Sequence, residues 1–437
     1  MRIGFYGGIA NNMYVFAKAF AAAGVDTSFI RDRSDRYPFS QPVWEDVPFR
    51  IPYESISETA NWPWDAWTKK EKELRWVAPN WVFDPLRETI ESHTPTECIA
   101  AQNPLEKRYF RSYFNAPLRQ STLGEMRRCD ALVVCGIEGS LLAKQSQRPY
   151  IIWPHGGDTM IAAGLFKPPL YQPRSRFIHS MVRKRLVNAY KGAVCLGSHE
   201  PTGICAAYMG AEVFVRQQRV EFIPIPIPTR PRQNKAERRK RLGQLLSDCG
   251  AKMPEEHLIG FVPSRIDFQW KGHDKLLQAL VDLKNENQTI KVHLIFVGWG
   301  ADFGPAQKFV RDNDLDNHIT LLNCALSKPL LFDFFLNADF VVDQFVMGLY
   351  GTAALEAMAC GAPLAMWIND SYERPWGIPP VFNVRTASEI AAFFGEVASD
   401  QINLERRSVA IQNWMGRVHC PSDAVLKVMG LFSSVCR

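Results

Sequence analysis

At 437 residues the chain exceeds what one ordinary hydrophobic core holds, and it fits two domains of about 200 residues each. Hydrophobic residues make up 46% and charged residues 22%, which suits a soluble globular enzyme and excludes a disordered or fibrous chain. The net charge of +6 favours anionic ligands without calling for nucleic acid, and the ten cysteines include no C-x-x-C pair, which argues against a zinc site or a disulfide framework.

Met1 leads directly into a strand, with no signal peptide, and no apolar run approaches the roughly 20 residues of a spanning helix. A cytoplasmic protein in a reducing compartment is expected. Arg2 to Tyr6 reads as a strand, Gly7-Gly8 as a turn, Met13 to Ala23 as an amphipathic helix and Val25 to Ile30 as a second strand. Residues 35–125 are less regular, rich in Pro and aromatics, and read as an insertion on one rim of the first domain. Trp62, Trp64, Trp67, Trp76 and Trp81 within it suit either sugar stacking or a local core. Strands are predicted next at Ala131–Val134, Tyr150–Trp153, Ala193–Leu196 and Glu221–Ile223. This βαβ rhythm implies a parallel sheet covered by helices. Between them, Arg174, Arg176, Arg183, Lys184 and Arg185, with Leu165, Phe166 and Phe177 nearby, read as an exposed helix or as a weak peripheral contact with the inner face of a membrane.

Pro224, Pro226, Pro228 and Pro231 form a stiff linker, so a domain boundary falls near Thr229. A second alternating series follows: Leu258–Pro263, Val292–Val297, His318–Leu322, Phe340–Val342 and Pro363–Met366. Two Rossmann-like domains result, 1–229 and 230–415, and ligands of such sheets bind beyond the carboxyl ends of the strands, in a cleft between the two.

Three loops in the second half carry chemistry. Arg265 and Lys271 flank the loop after Leu258–Pro263 and suit a diphosphate, Arg as a bidentate donor and Lys as a point charge, or are two solvated cations. Gly298, in Val297-Gly298-Trp299-Gly300, brings backbone close to whatever lies opposite. Gly348 to Gly351 opens a short helix for which Thr352 offers an N-cap, with Ala353 to Cys360 helical. The first-turn amides suit a phosphate. Glu356, the one charge in that helix, needs a partner: a ribose diol, or a neighbouring Lys or Arg. Asp312-Asn313-Asp314 has the D-x-D look of a metal-bound sugar nucleotide, but its charged turn reads as a solvated loop.

The blocks SRIDFQWKGHDKLLQAL, LIFVGWG and LEAMACGAPLAMW, in this order and spacing, resemble the carboxyl-terminal domain of retaining nucleotide-sugar glycosyltransferases. These form the large family-four, or group 1, type with the double-Rossmann GT-B fold. Pro154-His155-Gly156-Gly157-Asp158 is similar to the family's H-G-x-D in the first domain. The resemblance implies that Arg265 and Lys271 hold the donor diphosphate. Glu356 would hold the ribose, and Gly351, Thr352 and Ala353 would offer amides to the phosphates. His155 would stand beside the transferred sugar, where its bland alternative is a turn-shaping histidine. Asp158 has a helix-cap alternative, and Gly7 and Gly8 would let backbone approach donor or acceptor. It also implies a carboxyl-terminal helix, 416–437, crossing back to the first domain.

One position departs from the family. A second glutamate eight residues before the ribose-binding one is replaced here by Gly348. Asp343 and Gln344 are the polar residues nearest to take over its sugar contact, unless they only cap the loop. The expected activity is transfer of a sugar from a nucleoside diphosphate donor to a hydroxyl of a glycan, lipid-linked or small-molecule acceptor, with retention and no metal or cofactor. The rivals are a nucleotide-sugar epimerase and an inactive sugar-nucleotide-binding protein.

Overall fold

The computed structural model describes residues 1–8, 11–33, 35, 37–55, 64–86, 104–154, 156–165, 173–200, 210–286, 289, 291–371 and 374–435. The chain divides into two compact units, one of residues 1–42, 63–226 and 421–437, the other of residues 43–62 and 227–420.

In the first unit, β1 (Ile3–Tyr6) and β2 (Thr27–Ile30) pair in parallel. β3 (Arg50–Pro52) pairs elsewhere, and the sheet continues with β4 (Val82–Phe83), β5 (Ala131–Cys135), β6 (Tyr150–Trp153), β7 (Cys195–Ser198) and β8 (Val220–Phe222). The order is β4-β2-β1-β5-β6-β7-β8, parallel throughout, with the reversal of direction between β1 and β5. β1, β2, β5 and β6 are buried at every position, as sheets covered on both faces require. The helix Asn12–Ala22 lays Phe16 and Phe20 against Phe5, with ring centroids 6.4 and 5.0 Å apart. Each such buried ring contributes about 2–3 kcal/mol.

The second unit repeats the plan with β9 (Leu258–Val262), β10 (Val292–Phe296), β11 (Ile319–Leu321), β12 (Cys324–Leu326), β13 (Phe340–Val342), β14 (Leu364–Met366) and β15 (Phe382–Asn383). Its six-stranded parallel sheet runs β11-β10-β9-β13-β14-β15 and reverses between β9 and β13. The loops after these two strands therefore occupy the position where open α/β sheets bind ligands.

Three boundaries differ from the sequence reading. Residues 43–62 are not part of an insertion on the first unit: β3 pairs antiparallel with β12. Ser327 Oγ accepts from the Phe49 amide and donates to the Val47 carbonyl, both at 2.8 Å, and Tyr53 packs its ring 4.4 Å from that of Phe303. The division falls after Pro226 instead of Thr229, because Arg230 already bonds into the second unit, its amide 2.8 Å from the Ala359 carbonyl. At the far end, the helix Gln401–Val418 stays with the second unit. The helix Pro421–Ser433 belongs to the first, where Lys427 meets Glu221 at 2.7 Å.

The aromatics of residues 64–81 are committed to packing in the first unit. Trp67 is fully buried, Trp81 lies 5.3 Å from Tyr14, and the Arg33 guanidinium covers Trp64 at 4.2 Å. Trp62 and Phe166 lie outside the described residues. Of the basic cluster, Arg185 pairs with Glu106 at 3.0 Å and Arg183 donates to the Ala162 carbonyl at 3.3 Å. The side chains of Arg174 and Arg176 are outside the described residues.

Candidate functional site

β9 ends at Val262, and the loop that follows is pinned at its middle. The Ile266 amide donates to the Trp299 carbonyl at 2.7 Å, and the Phe268 amide donates to Asp302 Oδ2 at 2.7 Å. Asp267 Oδ1 accepts from the Trp270 amide at 2.7 Å, while the Asp267 amide donates to His273 Nδ1 at 3.1 Å. That bond places the remaining imidazole proton on Nε2, 3.4 Å from Ser264 Oγ. Burial, and then the nearby Lys271 cation, push the His273 pKa down to about 3, so the ring is neutral. His273 and Asp267 thus form the internal brace of the loop, a role that spacing alone did not reveal. Arg265 is half-exposed and meets Asp267 Oδ2 at 3.1 Å.

Lys271 is where this loop meets the loop after β13. Its Nζ lies 3.0 Å from Asp343 Oδ1, and its carbonyl accepts from the Phe345 amide at 2.8 Å. Asp343 is fully buried at the carboxyl end of β13, and its second oxygen has no hydrogen-bond partner among the described residues.

Gln344 does not reach outward. Its Nε2 donates to the carbonyls of Leu349 and Trp367 at 2.7 and 2.9 Å, and its Oε1 accepts from the amides of Val346 and Met347 at 3.0 and 2.6 Å. All four of its hydrogen-bonding positions are therefore spent inside the loop, which leaves none for a sugar. Gly348 sits at φ +67°, and a Cβ there would lie 2.8 Å from Asn369 Cβ and 3.0 Å from the Trp367 ring. Backbone conformation and packing together demand glycine here.

The helix that follows is Thr352–Ala359, with Gly351 as its N-cap and no side-chain cap bond. Thr352 is thus the first helical residue and not the cap, and Cys360 closes the helix. A Cβ on Gly351 would meet nothing within 4 Å, so space lies open before the first-turn amides. Glu356, one turn in, is buried, and Lys328 Nζ reaches both of its oxygens, at 2.5 and 2.6 Å. Burial opposes the charge on Lys328, but Glu356 and then Glu45 outweigh it and raise its pKa. Lys328 was invisible in the sequence pattern; it begins the helix Lys328–Asn337 directly after β12.

The remaining glycines serve the fold. A Cβ on Gly298 would overlap the Leu322 carbonyl, so its close approach is to the next strand. Gly7, at φ +126°, lies against Cys135, and Gly8 lies against Asp35. Asp158 is buried at the start of the helix Gly157–Ala163, its Oδ1 accepting from the Thr159 amide at 2.8 Å. His155 lies outside the described residues. Asp312 pairs with Lys308, and Asp314 with Lys284 at 3.5 Å, both on the amino-terminal side of β11. Among the described residues, no group of three or more His, Cys, Asp or Glu could hold a metal, and no helix is long and apolar enough to cross a membrane.

Residues 251–366, which contain Arg265, Lys271, Lys328, Asp343, Gln344 and Glu356, match the family model for glycosyl transferases group 1. No curated protein matches the chain as a sequence. Among solved structures, Anabaena Alr3699/HepE in complex with UDP-glucose is similar over 100% of both chains, with a TM-score of 0.61 at 14% identity. Sucrose-phosphate synthase from Thermosynechococcus elongatus aligns over 100% of this chain and 99% of its own, with a TM-score of 0.60 at 14% identity. A glycosyltransferase from Rickettsia africae covers 100% and 98%, with a TM-score of 0.55 at 12% identity. At such identities the likeness establishes the fold, which is GT-B. The segment that resembles group 1 glycosyl transferases lies wholly within the second unit.

Proposed function

We propose that the protein transfers a sugar from a nucleoside diphosphate donor to a hydroxyl acceptor, with retention of anomeric configuration. The observation that carries this reading is Lys271, clamped by Asp343 at the reversal of the second sheet, in the loop-and-helix segment matched by the group 1 family. Lys271, Arg265 and the amides of Gly351, Thr352 and Ala353 offset the charge that grows on the diphosphate as the glycosidic bond breaks. Glu356 takes the ribose. Its oxygens keep lone pairs beyond those given to Lys328, so two hydroxyls can still donate to it. The departing diphosphate serves as base for the acceptor hydroxyl, and cationic side chains take the place of a metal. His155 contacts the transferred sugar; this assignment rests on the resemblance alone. The UDP-glucose held by the Anabaena protein makes a uridine donor the first to test.

A thermal-shift series with UDP, GDP, ADP and TDP tests the reading, since a ligand of the native state raises its melting temperature by mass action. One nucleotide is expected to stabilise the native chain and to lose that effect in Glu356→Gln. A folded chain that responds to none of the four contradicts the proposal.

A further inference from the structure

A carboxylate that takes two ribose hydroxyls needs a fixed direction as well as a charge, and for Glu356 one neighbour supplies both. Lys328 Nζ lies 2.5 Å from one of its oxygens and 2.6 Å from the other. Both bonds go to a single nitrogen, so the carboxylate cannot turn about its last bond without losing one of them. The lone pairs left on the two oxygens are thereby held in place. Glu356 is buried in a helix otherwise made of Thr, Ala, Leu and Met, where an unpaired carboxylate would be costly.

Lys328 is itself anchored. It is the first residue of the helix Lys328–Asn337, and the N-cap before it, Ser327, makes no side-chain cap bond. A serine at that position ordinarily turns its hydroxyl to the first-turn amides of its own helix. Here the hydroxyl is committed to residues 47–49: it accepts from the Phe49 amide and donates to the Val47 carbonyl, each at 2.8 Å. The Ser327 amide adds a bond to the Phe49 carbonyl at 3.0 Å. Ser327 is fully buried, and the ladder of β3 with β12 runs on from it, Leu326 opposite Arg50 and Ala325 opposite Ile51. The helix forgoes its cap, and the bonds made instead fix the place of its first residue.

We propose that Lys328 is a positioning residue for nucleotide recognition: it orients the Glu356 carboxylate for the ribose 2′- and 3′-hydroxyls, and the bonds of Ser327 to residues 47–49 set Lys328 in turn. The inference rests on the assignment of Glu356 to the ribose. It makes the preference for a ribonucleotide over its 2′-deoxy counterpart depend on Lys328, through Glu356.

Calorimetric titration of the native full-length chain with UDP and with 2′-deoxy-UDP tests it, or with the matching pair for another base if the native chain prefers that base. Loss of one hydroxyl that donates to a carboxylate is expected to weaken native binding about tenfold or more. In Lys328→Met the ratio of the two affinities is expected to fall toward unity, with the ribonucleotide still held by its diphosphate. Lys328→Arg, which keeps the charge on a planar fork, and Ser327→Ala, which keeps the cation but loosens its anchor, are expected to give intermediate ratios. A native ratio in Lys328→Met, with both affinities lowered alike, marks a merely structural residue and overturns the proposal. If Lys328→Met does not fold or binds neither nucleotide, the other two variants decide, and native ratios in both overturn it. A native chain that binds the ribonucleotide and its deoxy counterpart equally, or binds neither, removes Glu356 from the ribose and this inference with it.

Discussion

The ion pair of Lys271 with Asp343 gives removal of the lysine two separable effects. Lys271→Ala is expected to lower turnover about a hundredfold, the loss of a charge stabiliser worth roughly 3 kcal/mol. It also strands a fully buried carboxylate, which costs roughly 1–3 kcal/mol of stability. Adding Asp343→Asn to Lys271→Ala restores much of the melting temperature but none of the turnover; a double variant that recovered turnover would show that Lys271 acts only on the fold. Gly348 separates another pair of readings. As sequence, it is a missing sugar contact for Asp343 or Gln344 to replace. In the fold, its positive φ and the packing of Asn369 and Trp367 account for the residue by themselves. Gly348→Ala alone is therefore expected to destabilise by about 1 kcal/mol or more and to impair donor turnover as much as Gly348→Glu does. An alanine variant with native stability and rate would return the position to the sugar.

The elements around the site explain which parts were legible. The βα rhythm announced both sheets, and SRID…KG and LEAMACG marked the segments that follow the two strands at the reversal of the second, because strand, glycine and helix signals are local. Lys328 could not be read that way: its partner Glu356 lies 28 residues further on, and the two meet only when the helices Lys328–Asn337 and Thr352–Ala359 pack. Residues 43–62 were misplaced for the same reason, since a three-residue strand carries no sign of the distant strand it will pair with. At this scale the buried histidines set a pH dependence. Burial lowers the folded pKa of His273 to about 3 and of His293 to about 4. Unfolded histidine titrates near 6.5, so between that value and the folded pKa the unfolded chain binds more protons, and stability is lost as pH falls, by up to about 1.4 kcal/mol per unit per histidine. The melting temperature should thus fall steadily from pH 7 to 4.5, with a shallower slope in His273→Gln. An unchanged slope in that variant would remove His273 from the account.

On the scale of the whole molecule, two Rossmann-like units share the chain out of order, the second taking residues 43–62 and the first reclaiming Pro421–Arg437. The family match covers only the second unit, where the donor chemistry is proposed, and the GT-B likeness spans the chain. The most direct test of sugar transfer is release of nucleoside diphosphate from a panel of UDP-, GDP-, ADP- and TDP-sugars, with acceptor extract present and EDTA added. The account predicts release from donors of one base, undiminished by EDTA and lost in Lys271→Ala. Release that needs added Mn²⁺ or Mg²⁺ would contradict the metal-free mechanism, and a folded native chain that releases no nucleoside diphosphate from any donor would contradict glycosyl transfer itself.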